Sequence, residues 1–286
     1  MRVFITGGAG FVGSEVLPEL AGRGRRLRAL IRPGSEKKLH PDLDFERLHL
    51  EAAKKCPGRL PERLKMTRRT QSEPLLPTRV FLMRHGVVTL EHRNRFNGST
   101  DSPLDAEGEA QFRRLADYLA PVTLTALYAS PLMRSRCSAE NLGQAFGLEP
   151  KIVPDLREMC FGLLEGLSFG EVNERYPEEL KKFFNDPGGY RVSRAETMAE
   201  VQDRAWPALE RIVAAHPDQS VAVVAHGAVN RTILARVLDT PFQAAFNMDQ
   251  DYACLNVLDF YPDRVVLKGL NLMPGPCWSD QNINQV

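Results

Sequence analysis

The chain has 286 residues, of which 43% are apolar and 26% charged, so it can bury one large core or two modest ones, and a disordered or fibrous composition is excluded. Its net charge of +1 argues against nucleic acid or an anionic membrane surface as a partner and favours a small molecule. The five scattered cysteines form no Cys-x-x-Cys pair, so we expect free thiols. No apolar run approaches the roughly 20 residues that span a bilayer, and the first residues lack a signal-peptide layout, so we expect a cytoplasmic location.

The first 39 residues have the pattern of a strand–helix–strand unit. A strand is predicted at 3–5, a glycine-rich turn at 7–13, a helix at 14–21 and a second strand at 27–31. The pattern resembles the glycine fingerprint of extended short-chain dehydrogenases and epimerases, which implies a partial Rossmann-type dinucleotide-binding unit. The glycines that would approach the pyrophosphate of a cofactor are Gly7, Gly10 and Gly13.

This resemblance to dehydrogenases is incomplete. It stops near Leu39, before the further strands that a dinucleotide-binding sheet needs, and the sequence contains no Tyr-x-x-x-Lys pair, the catalytic signature of those enzymes. We therefore interpret residues 1–39 as a vestigial fused unit and expect no tight binding of NAD or NADP. An NAD(P)-binding epimerase or reductase fragment stays the alternative function of a different class.

Residues 40–77 are predicted to form a linker. Prolines recur, apolar periodicity fades, and lysines and arginines cluster. A basic run can bind anions or nucleic acid, but this one has no interleaved aromatic residues, and we interpret it as a solvated linker.

From residue 78 to residue 286 the pattern indicates a single α/β domain. Strands are predicted at 79–83, 126–129, 151–153 and 220–225, with an edge pair at 254–260 and 264–268. Helices are predicted at 106–119, 132–146, 195–215 and 228–238, with a helical region at 169–184. This alternation predicts a three-layer α/β sandwich around a mostly parallel sheet.

Chemically active side chains follow the predicted strands, where ligands of open α/β sheets bind. Arg84-His85-Gly86 follows the first strand of this domain, and His226-Gly227 joins another strand to a helix, where anions are stabilised. Arg134 begins a further helix, and its guanidinium fork can hold phosphate oxygens bidentately. Glu158 follows a short strand and can donate a proton. Together the four motifs predict phosphoryl transfer.

In this order and context, residues 79–273 resemble the histidine phosphatase superfamily, which includes phosphoglycerate mutases. The resemblance rests on Arg-His-Gly, Ser-Pro-Leu-x-Arg, Leu-x-Glu and His-Gly, together with a substrate-side loop at 94–108. It implies a phosphoglycerate mutase-like fold, with His85 as the nucleophile and Glu158 as general acid and base. It also implies a phosphate pocket of Arg84, Arg134 and a protonated His226, with substrate contacts at Asn97 and Gly227.

The resemblance implies no cofactor, and the chain offers no clustered carboxylates that would hold Mg²⁺, so no metal is expected. The short interval between Glu158 and the helix predicted at 195–215 favours a phosphatase, similar to α-ribazole phosphatases or broad-specificity phosphatases. Cofactor-dependent phosphoglycerate mutase is the alternative. The substrate is predicted to be a small phosphomonoester, and the sequence leaves the oligomeric state open.

Overall fold

The computed structural model describes residues 3–6, 27–30 and 76–274. The chain divides into two compact units, Met1–Ser72 and Glu73–Val286. In the first unit, strand β1 (Val3–Thr6) pairs in parallel with strand β2 (Leu27–Leu30). The glycine turn, the first helix and almost all of the linker lie outside the described residues, so the nucleotide-binding hypothesis for Gly7, Gly10 and Gly13 stays a prediction.

The second unit is built on a six-stranded sheet. Its strands are β3 (Thr78–Arg84), β4 (Leu124–Ala129), β5 (Lys151–Ile152), β6 (Ser220–Ala225), β7 (Leu255–Tyr261) and β8 (Arg264–Leu272). They lie in the order β5-β4-β6-β3-β7-β8. The first four of these pair in parallel, whereas β7 runs antiparallel to β3, and β8 to β7. The mostly parallel sheet with an antiparallel edge pair is confirmed.

Helices cover both faces of this sheet. They are α1 (Ala106–Leu119), α2 (Met133–Phe146), α3 (Phe169–Arg175), α4 (Pro177–Asn185), α5 (Met198–Ala214), α6 (Gly227–Val237) and α7 (Phe242–Ala245). Alternate residues of β3 enter different cores: Phe81 packs with the α1 and α2 side chains, and Leu82 with those of α5 and α6. The predicted three-layer sandwich is therefore confirmed.

Local sequence explains where the observed helices depart from the predicted ones. The helical region expected at 169–184 is two helices, and the second begins at Pro177, whose fixed φ suits a first helical position. The helix expected from residue 195 begins at Met198, because the Thr197 side chain accepts the Glu200 N–H in a capping box. Within residues 76–274, no helix combines the length and apolar character that crossing a membrane requires.

Candidate active site

The register of the parallel strands brings the predicted motifs together at one edge of the sheet. The last residue of β3, Arg84, pairs with Ala225 at the end of β6, and Ala129 at the end of β4 pairs with Val224. The His85 N–H then donates to the Ala225 carbonyl oxygen over 3.1 Å. His85 and His226 thus follow neighbouring strands, and their ring centroids lie 5.2 Å apart.

His85 is buried and held in one tautomer. Its Nδ1 lies 2.8 Å from the Gly86 carbonyl oxygen, which can only accept, so Nδ1 carries the proton and Nε2 keeps its lone pair. Gly86 is required here, because a Cβ at this position would lie 2.5 Å from the Gly108 carbonyl oxygen. Burial, with the positive charges of Arg134 and Arg84, holds the pKa of His85 well below 6.5. The ring is therefore neutral at pH 7.

His226 is fully buried beside it. Its Nε2 lies 2.7 Å from Ser130 Oγ, while its Nδ1 is buried and finds no hydrogen-bond partner among the described residues. The Ser130 hydroxyl also accepts the Leu132 N–H, which fixes its oxygen beside the His226 ring. Burial, with the charge of Arg134, holds the pKa of His226 well below 6.5. His226 is therefore neutral in the ligand-free protein, and its protonation beside a bound phosphate stays a prediction.

These two histidines give the protein a defined acid sensitivity. Each has a lower pKa in the folded state than the roughly 6.5 of an unfolded chain, so below pH 6.5 only the unfolded state gains their protons. The contribution of these two neutral histidines to stability is therefore fully present above pH 6.5. It is lost as the pH falls from 6.5 toward their folded-state pKa values. We expect the free energy of unfolding in urea to fall by about 1.4 kcal/mol per pH unit below pH 6.5 for each histidine. In His226→Asn this free energy should depend less steeply on pH. An equal slope in the variant would contradict this assignment.

Arg84 is fixed from two sides. One terminal nitrogen donates to the Gln250 carbonyl oxygen over 2.5 Å, and the guanidinium carbon lies 3.9 Å from the centre of the Tyr252 ring. Its Nε is buried and finds no partner among the described residues. A Cβ built on Gly227 would lie 3.6 Å from that Nε, so the free donor lies at the start of α6.

Arg134 has a different geometry from the one predicted. Its terminal nitrogens donate to the carbonyl oxygens of three loop residues and to the Ser102 hydroxyl over 2.6–3.4 Å; those carbonyl oxygens belong to Asn97, Gly98 and Thr100. A bidentate grip on phosphate by these nitrogens is therefore not available without breaking contacts to the loop. Arg134 instead holds the 97–102 loop at the site and adds a buried positive charge.

The Glu158 side chain contacts the first turn of α6. Its carboxylate accepts the backbone N–H groups of Met159, Ala228 and Val229 over 2.9–3.3 Å. The bonds from Ala228 and Val229 satisfy N–H groups of α6 that have no partner within the helix, and they place the carboxylate at its positive end. The side chain lies close to Gly227 and His226 for this reason.

An ion pair behind Glu158 positions its segment. Arg204 on α5 contacts both carboxylate oxygens of Glu196 at 2.9 Å and donates to the carbonyl oxygens of Asp155, Arg157 and Glu158. Glu196 in turn accepts the Cys160 N–H. The backbone on either side of Glu158 is therefore tied to α5. Neither residue follows a strand, and the sequence offered no signal for them.

The 97–102 loop closes against the segment that carries Glu158. A Cβ on Gly98 would lie 2.0 Å from the Met159 carbonyl oxygen, so only glycine permits this approach. Glu165 accepts the backbone N–H and the hydroxyl of Thr100, each over 2.9 Å. The amide nitrogen of Asn97 donates to the His92 carbonyl oxygen, and its oxygen is buried without a partner among the described residues.

A cavity of about 190 Å³ opens onto these side chains. Of the predicted residues, those that line it are Arg84, His85, Asn97, Arg134, Glu158 and Gly227. His226 is not among its lining residues and lies buried beside His85. Sequence reasoning missed Arg231, four residues after Gly227 and hence on the same side of α6, and Tyr252, which precedes β7. It also missed an aromatic surface on the far side of the cavity.

Within residues 76–274, no three His, Cys, Asp or Glu side chains are grouped so that they can hold a metal ion. The described site is instead a neutral imidazole, a carboxylate and three arginines at the carboxyl edge of a parallel sheet. The sequence profile described as "Histidine phosphatase superfamily (branch 1)" matches residues 80–273. The chain belongs to the histidine phosphatase superfamily.

Curated proteins and a solved structure are similar to this region. The "Bifunctional protein Rv2228c" of Mycobacterium tuberculosis is 32% identical over 193 residues, which cover 65% of this chain and 51% of that protein. This chain therefore spans about half the length of that curated relative. The "Uncharacterized phosphatase PhoE" of Bacillus subtilis is 28% identical over 197 residues, 68% of this chain and 95% of that protein. The structure of Bacillus stearothermophilus YhfR has 29% identity and a TM-score of 0.63, and covers 67% of this chain and 95% of that one.

Proposed function

We propose that this histidine phosphatase hydrolyses a small phosphomonoester through a phosphohistidine at His85. The observation that supports this most directly is the tautomer of His85: the Gly86 carbonyl oxygen holds the proton on Nδ1 and leaves Nε2 as a nucleophile. The lowered pKa of the ring keeps that lone pair free at neutral pH. His85 also lines the cavity, so its nucleophilic nitrogen is accessible to a substrate.

The phosphate pocket of this proposal uses donors that the protein leaves unsatisfied. Arg84 Nε and His226 Nδ1 are buried without partners among the described residues, and a buried unpaired donor costs about 1–3 kcal/mol. A phosphate oxygen in the cavity would satisfy Arg84 Nε; contact with His226 Nδ1, which lies behind the cavity lining, also requires the ring proton on Nδ1 and a shift of the side chain. The N-terminus of α6 beside them favours an anion. Arg134 contributes positive charge and holds Asn97 and the rest of the loop in place.

Glu158 serves as acid and then base in the proposed reaction. His85 Nε2 attacks phosphorus, the bond from phosphorus to the ester oxygen breaks, and protonated Glu158 gives its proton to the departing alcohol oxygen. Water then attacks the phosphohistidine, gives a proton to the Glu158 carboxylate, and releases inorganic phosphate as the bond from phosphorus to nitrogen breaks. Both half-reactions balance with water as the only co-reactant.

Within this family the proposal favours a phosphatase over a phosphoglycerate mutase. Several curated relatives carry phosphatase names, and one, from Escherichia fergusonii, is named "Probable phosphoglycerate mutase GpmB" at 26% identity. The interval between Glu158 and α5 is short, with two small helices, which leaves the cavity open to water. The expected substrate is an α-ribazole phosphate-like or less specific phosphomonoester, and the expected location is cytoplasmic.

A substrate panel tests the proposed function. We expect release of inorganic phosphate from 4-nitrophenyl phosphate, α-ribazole phosphate or other small phosphomonoesters. Conversion of 3-phosphoglycerate to 2-phosphoglycerate should be absent with and without bisphosphoglycerate. A bisphosphoglycerate-dependent conversion that is faster than phosphate release would favour the mutase. No phosphate release from any ester, including the activated aryl ester, would reject the proposal.

A further inference from the structure

The cavity has two chemically different halves. Arg84, His85, Asn97, Arg134 and Glu158 form the polar half described above. The other half is an aromatic wall, which we define as Phe96, Phe161, Phe183, Phe184 and Phe246. The phosphate pocket accounts for the polar half only, so the wall needs a separate explanation.

The rings of the wall are held by one another. Phe96 and Phe161 meet edge to face, with centroids 5.2 Å apart. Phe184 meets Phe183 at 5.3 Å and Phe246 at 4.9 Å, also edge to face. Such pairs stabilise each other beyond the area that they bury. Because the rings come from two loops, from α4 and from Phe246 just after α7, the wall is preformed by the fold.

Part of this wall is accessible. Phe183 is buried, whereas Phe184 next to it is 36% exposed. A buried core would have covered both rings, since exposing a large apolar side chain forfeits about 1.5–3 kcal/mol of burial. Clustered apolar surface beside a reactive group is typical of a ligand-binding wall.

The charged side chains that line the cavity outside the polar half are Arg95 and Arg231. One terminal nitrogen of Arg95 donates to Glu171 and to the Gly166 carbonyl oxygen. A Cβ on Gly227 would lie 3.3 Å from an Arg231 nitrogen, which places that guanidinium beside Arg84. Among residues 76–274, Glu158 is the only acidic side chain that lines the cavity. The wall therefore offers little to the carboxylate of a glycerate or to the hydroxyls of a sugar.

We propose that the alcohol portion of the substrate is aromatic or otherwise apolar and packs on the aromatic wall, with its phosphate at His85. This inference rests on the proposed phosphatase function and specifies its substrate class. The wall then binds the alcohol portion, which is the leaving group, while Arg84 and the start of α6 bind the phosphoryl group that is transferred to His85.

The test compares phosphate esters that differ in the alcohol portion expected to contact the wall. The compounds are 2-phenylethyl phosphate, ethyl phosphate, glycerol 1-phosphate and glucose 6-phosphate, all esters of alkyl alcohols, so the chemical step is similar. We expect kcat/KM for the phenylethyl ester to exceed that for the ethyl ester by roughly 10- to 100-fold, because a buried phenyl ring stabilises the transition state by its transfer free energy. Glycerol 1-phosphate or glucose 6-phosphate as the better substrate would overturn the inference.

Two phenylalanine variants locate the preference. Phe184→Ala should reduce the phenylethyl-to-ethyl ratio of kcat/KM by roughly 5-fold or more, since it removes part of the wall. Phe146→Ala is the matched control: Phe146 lies at the end of α2, packs against the core on the other face of the sheet and is not a lining residue of the cavity, so the ratio should stay unchanged. An unchanged ratio in Phe184→Ala, or an equal loss in both variants, would overturn the assignment. Absence of turnover for every ester, including 4-nitrophenyl phosphate, would instead reject the phosphatase function.

Discussion

His85→Ala is expected to lower kcat for 4-nitrophenyl phosphate by on the order of 10⁴-fold or more, since nucleophile removal abolishes the covalent route. Among the described residues, the other imidazole near the site is His226. Its ring does not line the cavity, and its Nε2 is bonded to Ser130. It is therefore poorly placed to replace His85 as phosphoryl acceptor. The measurement is steady-state turnover together with acid-quench detection of protein-bound phosphate.

The phosphoenzyme provides a second readout for His85. Wild-type protein quenched during turnover should carry phosphate that is labile in acid and stable in base, as expected of a phosphorus–nitrogen bond, and His85→Ala should carry none. His216→Gln is a suitable control, because its backbone carbonyl oxygen accepts the hydroxyl of Thr78 at the start of β3 and it does not line the cavity. Turnover of His85→Ala within about 10-fold of wild type would show that another group is the nucleophile.

Glu158→Gln is expected to produce the second largest loss, and its size should depend on the leaving group. General acid catalysis contributes about 10²–10⁴-fold. We expect kcat/KM for ethyl phosphate to fall by that factor, whereas kcat/KM for 4-nitrophenyl phosphate should fall by less than about 10-fold, because nitrophenolate leaves without a proton. Glutamine retains one oxygen to accept the Ala228 or Val229 N–H, so the start of α6 keeps an acceptor.

The second half-reaction also reports on Glu158. If Glu158 activates water, the variant should accumulate phosphoenzyme and release a burst of nitrophenolate close to one equivalent per protein molecule. The control is Glu174→Gln, at an exposed position of α3 outside the cavity lining. Equal slowing of both esters without a burst would show that Glu158 supports the fold of the 158–161 segment and does not transfer protons.

The neutral histidines illustrate why charge states need the tertiary structure. His226 was expected to be protonated while it holds a phosphate oxygen. In the fold it is fully buried, and Arg134 comes close enough to lower its pKa. Desolvation and neighbouring charges from elements distant in sequence set a pKa, and a sequence pattern reports neither.

Arg134 is a second case in which position was predictable and contacts were not. Its place in the first turn of a helix after β4 follows from the Ser-Pro-Leu-x-Arg pattern. Its guanidinium is nevertheless occupied by carbonyl oxygens of the 97–102 loop. A free loop carbonyl and a phosphate oxygen are both good acceptors for arginine, and only the packed loop shows which one is bound.

Sequence patterns alone predicted the α/β order of the second unit and the location of its candidate active site. Apolar runs and helical periodicity are local signals, and parallel strands necessarily bring His85 and His226 to one edge. How the site is supported, and what it can accommodate, became visible in the packed fold. Arg204 on α5 donates to the Glu158 carbonyl oxygen, and Phe184 on α4 meets Phe246, which follows α7. Such contacts join residues far apart in the chain, so they depend on how the layers pack and leave no periodic signal in the sequence.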